Sequence, residues 1–246
     1  MKNFSIISSL FVALFFSFQS NAQVKFGVKA GVNASLQNKI PDEFSGTPYI
    51  GMMGGVFVRI PVAEKFQIQP EVMISSQGVN SVFEIKDKEL SPGTTLNVTS
   101  KDNNRMNYLN IPIMLRYNLT KKFSLELGYQ VGVFLWGKSE VNSATKLLVA
   151  GIGYLENSEE SSTLQYRNKD VNTIDQSIVG GFSYEIDNGL ELNLRFQQGL
   201  NGFYKQPDKL NELKVKTGGA VDVDITDIRN AMLQVGLSYS FPLKKQ

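Results

Sequence analysis

Residues 108–136 read YLNIPIMLRYNLTKKFSLELGYQVGVFLW, two runs of strict alternation joined at Thr120, Lys121 and Lys122. In the first run Leu109, Ile111, Ile113, Leu115, Tyr117 and Leu119 share one face, against Asn110, Pro112, Met114, Arg116 and Asn118. In the second, Phe123, Leu125, Leu127, Tyr129, Val131, Val133 and Leu135 oppose Ser124, Glu126, Gly128, Gln130 and Gly132. Side chains that alternate with period two mark amphipathic β-strands. Each run reaches the roughly 9 to 11 residues that a tilted strand needs to cross a bilayer.

Six further segments carry the same pattern. Phe26, Val28, Ala30 and Val32 oppose Lys25, Gly27, Lys29 and Gly31; Ile50, Met52, Val56, Val58 and Ile60 oppose Phe57 and Arg59. Phe66, Ile68, Val72 and Ile74 oppose Gln67, Gln69, Glu71 and Ser75, while Ile174, Ile178, Phe182, Tyr184 and Ile186 oppose Asp175, Ser177, Ser183 and Glu185. Leu190, Leu192, Leu194 and Phe196 oppose Glu191, Asn193, Arg195 and Gln197, and Leu233, Val235, Leu237, Tyr239 and Phe241 oppose Gln234, Gly236, Ser238 and Ser240. Eight strands follow, with short connections at 61–65, 120–122 and 187–189 and long ones at about 35–48, 79–106, 137–173 and 199–230. Short turns at one end and long loops at the other are the signature of an up-and-down barrel in an outer membrane. The expected fold is therefore all-β: an eight-stranded antiparallel up-and-down transmembrane β-barrel with long extracellular loops. Phe66, Tyr117, Phe123, Tyr184, Tyr239 and Phe241, all near the short turns, suit an interfacial aromatic girdle.

Residues 1–22 have one charge, Lys2, an apolar run from Phe4 to Phe18 and the small-x-small ending Ser20, Asn21, Ala22, so a signal peptide cut before Gln23 is expected. The barrel domain is then 23–246, in the outer membrane after export. No other stretch approaches the roughly 18 apolar residues of a membrane helix. With Lys2 removed, 24 basic side chains face 23 acidic ones, which gives no reason to expect a nucleic-acid partner. The chain has no cysteine and no histidine. Disulfides, thiol nucleophiles and Ser-His triads are excluded, and so is the commonest metal ligand. No catalytic, cofactor or metal residues are expected. The acidic run Asp222, Asp224 and Asp227 lacks the spacing, turn glycine and closing glutamate of a calcium loop and reads as a strand edge.

Register sharpens the reading, because a slip of one residue turns every side chain to the other face. Pairing Leu119 with Phe123 sets Arg116 opposite Glu126 on the lumen side. A three-residue turn over Asp187, Asn188 and Gly189 would pair Ile186 with Leu190 and set Glu185 against Glu191. Two facing carboxylates need a cation, and Lys25, Lys29, Arg59 and Arg195 are candidates. Lys25, Lys29, Arg59, Glu71, Arg116, Glu126, Glu185, Glu191 and Arg195 are thus expected to form a structural charge network in the lumen. Gly27, Gly31 and Gly55 face the same lumen, either to make room for long charged neighbours or, more simply, to follow the curvature of the wall. An odd-length turn at Gly218 and Gly219 would make a hairpin of 213–225. The apolar run Lys146 to Tyr154 has three open placements: a strand extension, a loop packed on the rim, or a contact patch.

The phrases FGVKAGVNAS, FQIQPEVMISSQG, YLNIPIMLRYNL, FSLELGYQVGVF and LQVGLSYSF resemble those of the PorT-type outer-membrane β-barrel family of Bacteroidetes. The resemblance covers the mature chain apart from its long loops. It implies a barrel without catalytic residues, and its name-giving branch implies a link to secretion or gliding machinery. The chain departs from many outer-membrane strands in that PLKKQ follows Phe241 instead of the strand ending on the aromatic. The functional expectation is a non-enzymatic integral barrel with a plugged polar lumen. It sits in the bilayer and meets a protein partner through its periplasmic rim or through loops 79–106, 137–173 and 199–230. The alternative is a soluble, exported, lipocalin-like barrel whose apolar face lines a ligand cavity. The two differ in which face carries the charges. A barrel-embedded enzyme working through Glu185 and Glu191 is a third, remote reading.

Overall fold

The computed structural model describes residues 24–38, 44–166, 171–202 and 229–241. They form nine strands: β1 (Lys25–Asn38), β2 (Phe44–Pro61), β3 (Phe66–Ser91), β4 (Thr94–Asn118), β5 (Phe123–Val149), β6 (Gly153–Tyr166), β7 (Ile174–Asp187), β8 (Leu190–Gly199) and β9 (Arg229–Phe241). All pairings are antiparallel, and eight of the strands close into a ring in the order β1-β2-β3-β4-β5-β7-β8-β9. The seam is β1 on β9, from Phe26 opposite Phe241 to Asn38 opposite Arg229. A closed ring leaves no wall edge unpaired, which is what lipid demands of a β-structure.

The apolar face points outward. Leu127 is 61 % exposed while its neighbour Glu126 is 3 % exposed, and the same contrast runs around the ring. This removes the soluble alternative, which required the apolar side chains inside. The expected girdle forms at the short-turn end, where the rings of Phe66 and Tyr117 lie 4.9 Å apart and those of Tyr239 and Phe241 5.4 Å apart. The Leu119 amide donates to the Phe123 carbonyl oxygen at 3.0 Å, and Arg116 is the register partner of Glu126, as the alternation required.

Three expectations change. The loops expected at 79–106 and 137–173 are largely strand. β3 and β4 continue past the wall as one hairpin that turns at Pro92–Gly93, and β5 continues to Val149 before returning as β6. With residues 44–48 of β2 paired to β3, these extensions make a five-stranded blade standing on one side of the barrel. The run Lys146 to Tyr154 belongs to it: Lys146 to Val149 end β5, and Gly153 begins β6. No oil bathes either side of the blade, so its sequence is under no pressure to alternate apolar with polar.

The turn after β7 has two residues, because Asp187 rather than Ile186 pairs with Leu190 and the extra residue is taken up as a bulge at Ile186. Asn188 (φ 36°) and Gly189 (φ 91°) both take left-handed backbone, the preference of an Asn-Gly type I′ hairpin. Glu185 still faces Glu191.

A second bulge lies in β5, where Tyr108 pairs with Phe134 but Asn107 with Trp136, leaving Leu135 unpaired. Up to Phe134 the even residues of β5 face inward; beyond Leu135 it is the odd ones, Gly137 and Ser139. The bulge marks the passage from wall to blade. The hairpin expected at 213–225, the acidic run near Asp222 and the signal peptide lie outside the described residues.

Candidate functional site

The lumen is filled in three layers. The first, toward the short turns, is a chain of alternating charges. Arg59 on β2 grips Glu191 on β8 with two bonds, Nη1 to Oε1 at 2.7 Å and Nη2 to Oε2 at 3.0 Å. Arg116 on β4 reaches the same Glu191 at 3.2 Å and donates to Glu126 Oε1 on β5 at 2.6 Å. Arg195 on β8 donates from Nε to Glu126 Oε2 at 2.5 Å and holds Glu71 on β3 with two bonds of 2.7 and 2.9 Å. Lys29 Nζ on β1 ends the series 3.5 Å from Glu71 Oε1. Six of the eight wall strands are thereby tied across the axis. All seven side chains are buried, so each charge depends on its partners rather than on water.

Seven of the nine charges expected in the lumen come together here. Lys25 is exposed and Glu185 half-buried; both line a cavity of about 390 Å³ at the short-turn mouth, beside the network rather than in it. Glu191 is served by Arg59 and Arg116, not by a cation shared with Glu185. Two partners were missed by sequence reasoning. Gln69 accepts from Arg59 Nε at 2.8 Å and donates to Glu71 at 2.6 Å, and Ser183 accepts from Arg116 at 2.8 Å. Both fall on the lumen face by parity, which was the signal that could have found them.

The middle layer is amide and hydroxyl. Asn110 donates to Ser75 Oγ at 2.7 Å, Gln197 to Ser177 Oγ at 2.9 Å and Gln234 to Gln197 at 3.1 Å. The third layer, toward the blade, is apolar: Met106, Tyr108, Phe134 and Val171 are buried together with Tyr166 packed on them, and the Tyr108 and Phe134 rings meet edge-on at 5.7 Å.

Methionines fill the remaining width, each across from a glycine: Met53 opposite Gly31, Met73 opposite Gly55 and Met114 opposite Gly128. The ring of Phe57 lies over Gly27 in the same way. A Cβ on Gly27, Gly31 or Gly55 would also collide with a carbonyl oxygen of the adjoining strand, so the curvature reading holds and the side chains accommodated are apolar.

The network ties the wall strands to one another across the axis. Every carboxylate of the network is occupied by guanidinium or ammonium donors. Among the described residues no three acidic side chains gather as a metal site.

A closed eight-stranded ring with an apolar exterior and a packed polar axis defines a transmembrane barrel of the outer membrane. The chain belongs to the outer membrane protein beta-barrel domain family, whose model matches residues 17–205. No curated protein matches it in sequence. Among solved structures it is similar to Neisserial surface protein A, at 10% identity over 90% of this chain and 100% of that one, with a TM-score of 0.38. It is also similar to Ail, the attachment invasion locus protein of Yersinia pestis (8%, 90% and 100%, 0.35), and to OprG of Pseudomonas aeruginosa (10%, 92% and 99%, 0.32).

Proposed function

We propose that this outer-membrane barrel is a non-enzymatic, closed-lumen anchor that presents its blade to a protein partner. The observation that carries the reading is the contrast between a lumen filled by charged, amide and apolar layers and a hairpin pair that extends well beyond the wall. A wall that needs only about 10 residues per strand is built here from strands of 26, 25 and 27 residues in β3, β4 and β5. The excess has no role in crossing lipid. At its tip Ile152, Tyr154 and Leu155 are each more than 60 % exposed, the kind of apolar surface that marks a contact. A partner within a secretion or gliding machinery is the identity suggested by the PorT-type resemblance of the strand phrases.

Photo-cross-linking in intact cells tests this. A photoreactive residue at Ile152 or Tyr154 is expected to give a discrete protein adduct, and one at the lipid-facing Ile111 none. Adducts absent from both blade positions would remove the partner role, and mass spectrometry of an adduct tests the machinery assignment.

A further inference from the structure

Where the wall passes into the blade, the outer surface holds a cavity of about 670 Å³ whose lining includes Tyr49, Ile50, Met52, Arg105, Trp136 and Lys138. Its position follows from strand geometry. From Tyr117 in the girdle to Asn107 on β4 the chain rises about 33 Å along the strand, which at a tilt near 40° is about 25 Å across the membrane, the height of the apolar band. Arg105 stands one outward position beyond Asn107, on the face shared with Leu109 and Ile111. The cavity therefore sits at the headgroup level of the outer leaflet, open to lipid and not to the lumen.

Its chemistry is divided at that level. Ile50 and Met52, 65 % and 76 % exposed, and Trp136, 59 % exposed, form the apolar part. Above them Arg105 and Lys138 are direct cross-strand partners. Like charges so placed repel unless an anion lies between them. Glu140 pairs with Lys138 and answers one of the two charges. The Arg105 guanidinium lies over the Tyr49 ring, 5.5 Å from its centroid, which holds it against the cavity wall.

We propose that this cavity binds the phosphorylated headgroup of an outer-leaflet glycolipid, with Arg105 and Lys138 clamping the phosphate and Ile50, Met52 and Trp136 lying along the acyl chains. A soluble anion would gain nothing from the apolar half, and a protein partner would have to displace lipid to reach it.

Trp136 is the single tryptophan of the chain, so its fluorescence reports on this cavity alone. The full barrel, reconstituted in phosphatidylcholine vesicles, is titrated with a phosphorylated, multiply acylated glucosamine disaccharide, with the dephosphorylated form of the same lipid, and with inorganic phosphate. A saturable emission shift is expected with the phosphorylated lipid only. In Arg105→Gln/Lys138→Gln its midpoint should move by about tenfold or more, while the heat-modifiable gel mobility of a folded barrel persists. Equal responses to both lipids, an unchanged midpoint in the double variant, or the same shift with inorganic phosphate would each overturn the assignment.

Discussion

Glu126 shows how tightly single residues are coupled in the lumen: its two oxygens are taken by Arg116 and Arg195, which hold Glu191 and Glu71 in turn. Removing one member of a buried ion network leaves the others without compensation, at about 3–5 kcal/mol. Glu126→Gln is expected to lose stability on that scale, read as a lower urea midpoint for unfolding from lipid vesicles. A second expectation concerns Gly31, where an added Cβ would lie 2.6 Å from Gly236 Cα and 3.0 Å from Met53 Cε. Gly31→Val should cost about 1–3 kcal/mol by overpacking, and shortening the contacting side chain in Gly31→Val/Met53→Ala should recover only part of it, because the clash with the neighbouring backbone stays. Arg116 with Glu126 was legible in the sequence because a short turn fixes their register. Arg59 with Glu191 was legible only as one of four candidate cations, because β2 and β8 are not neighbours and meet only across the axis. Met114 was placed on the inner face by parity, whereas Met53 and Met73 were left unplaced, because an unbranched apolar side chain satisfies either face of the pattern.

At the scale of elements, the wall and the blade obey different rules. Every wall strand was visible, since oil on one side and a crowded axis on the other enforce strict alternation. Beyond Asn104 and Ser139, the last buried positions of β4 and β5, both faces are open to solvent, the contrast vanishes, and Thr, Ser and Asn dominate; the extensions of β3, β4 and β5 and the whole of β6 consequently read as loop. The blade should be dispensable for folding, because the pairing of β3 with β4 below it, such as Ile74 with Leu109, is complete without it. Replacing 82–101 by a two-residue Asn-Gly turn is expected to leave a heat-modifiable barrel that assembles in the membrane. Within the blade, the ammonium of Lys138 beside Glu140 holds that carboxyl below the usual carboxylate range, with Arg105 adding to the effect. A depressed carboxylate contributes stability above its ordinary pKa and loses it as the pH falls through the depressed value, so the Lys138–Glu140 contact should survive mild acidification. The Glu140 carboxyl resonance, followed by NMR, should titrate below 4.5 in the native chain and move upward in Lys138→Gln.

At the scale of the molecule, the described residues form a barrel with a filled axis and an asymmetric crown. Among the described residues, charges at one end, amides in the middle and a cap of Met106, Tyr108, Phe134 and Val171 at the other fill the axis. Planar-bilayer recordings of the purified chain should show no steady large conductance, and a stable open level would contradict the packed lumen. The strand count, the ring and the orientation of its faces followed from periodicity and connection lengths, because lipid imposes one solution on the whole wall at once. The crown answers to no such constraint. One residue mediates between the two regimes. Leu135, standing outside the pairing, acts as a phase shifter: draw it into the ladder opposite Asn107, and every later residue of β5 slips by one position and turns to the other face. Trp136 and Lys138 would then be driven toward the central axis and Ser139 out toward the lipid boundary. One residue held out of the ladder thus governs which surface the crown displays to the outside world.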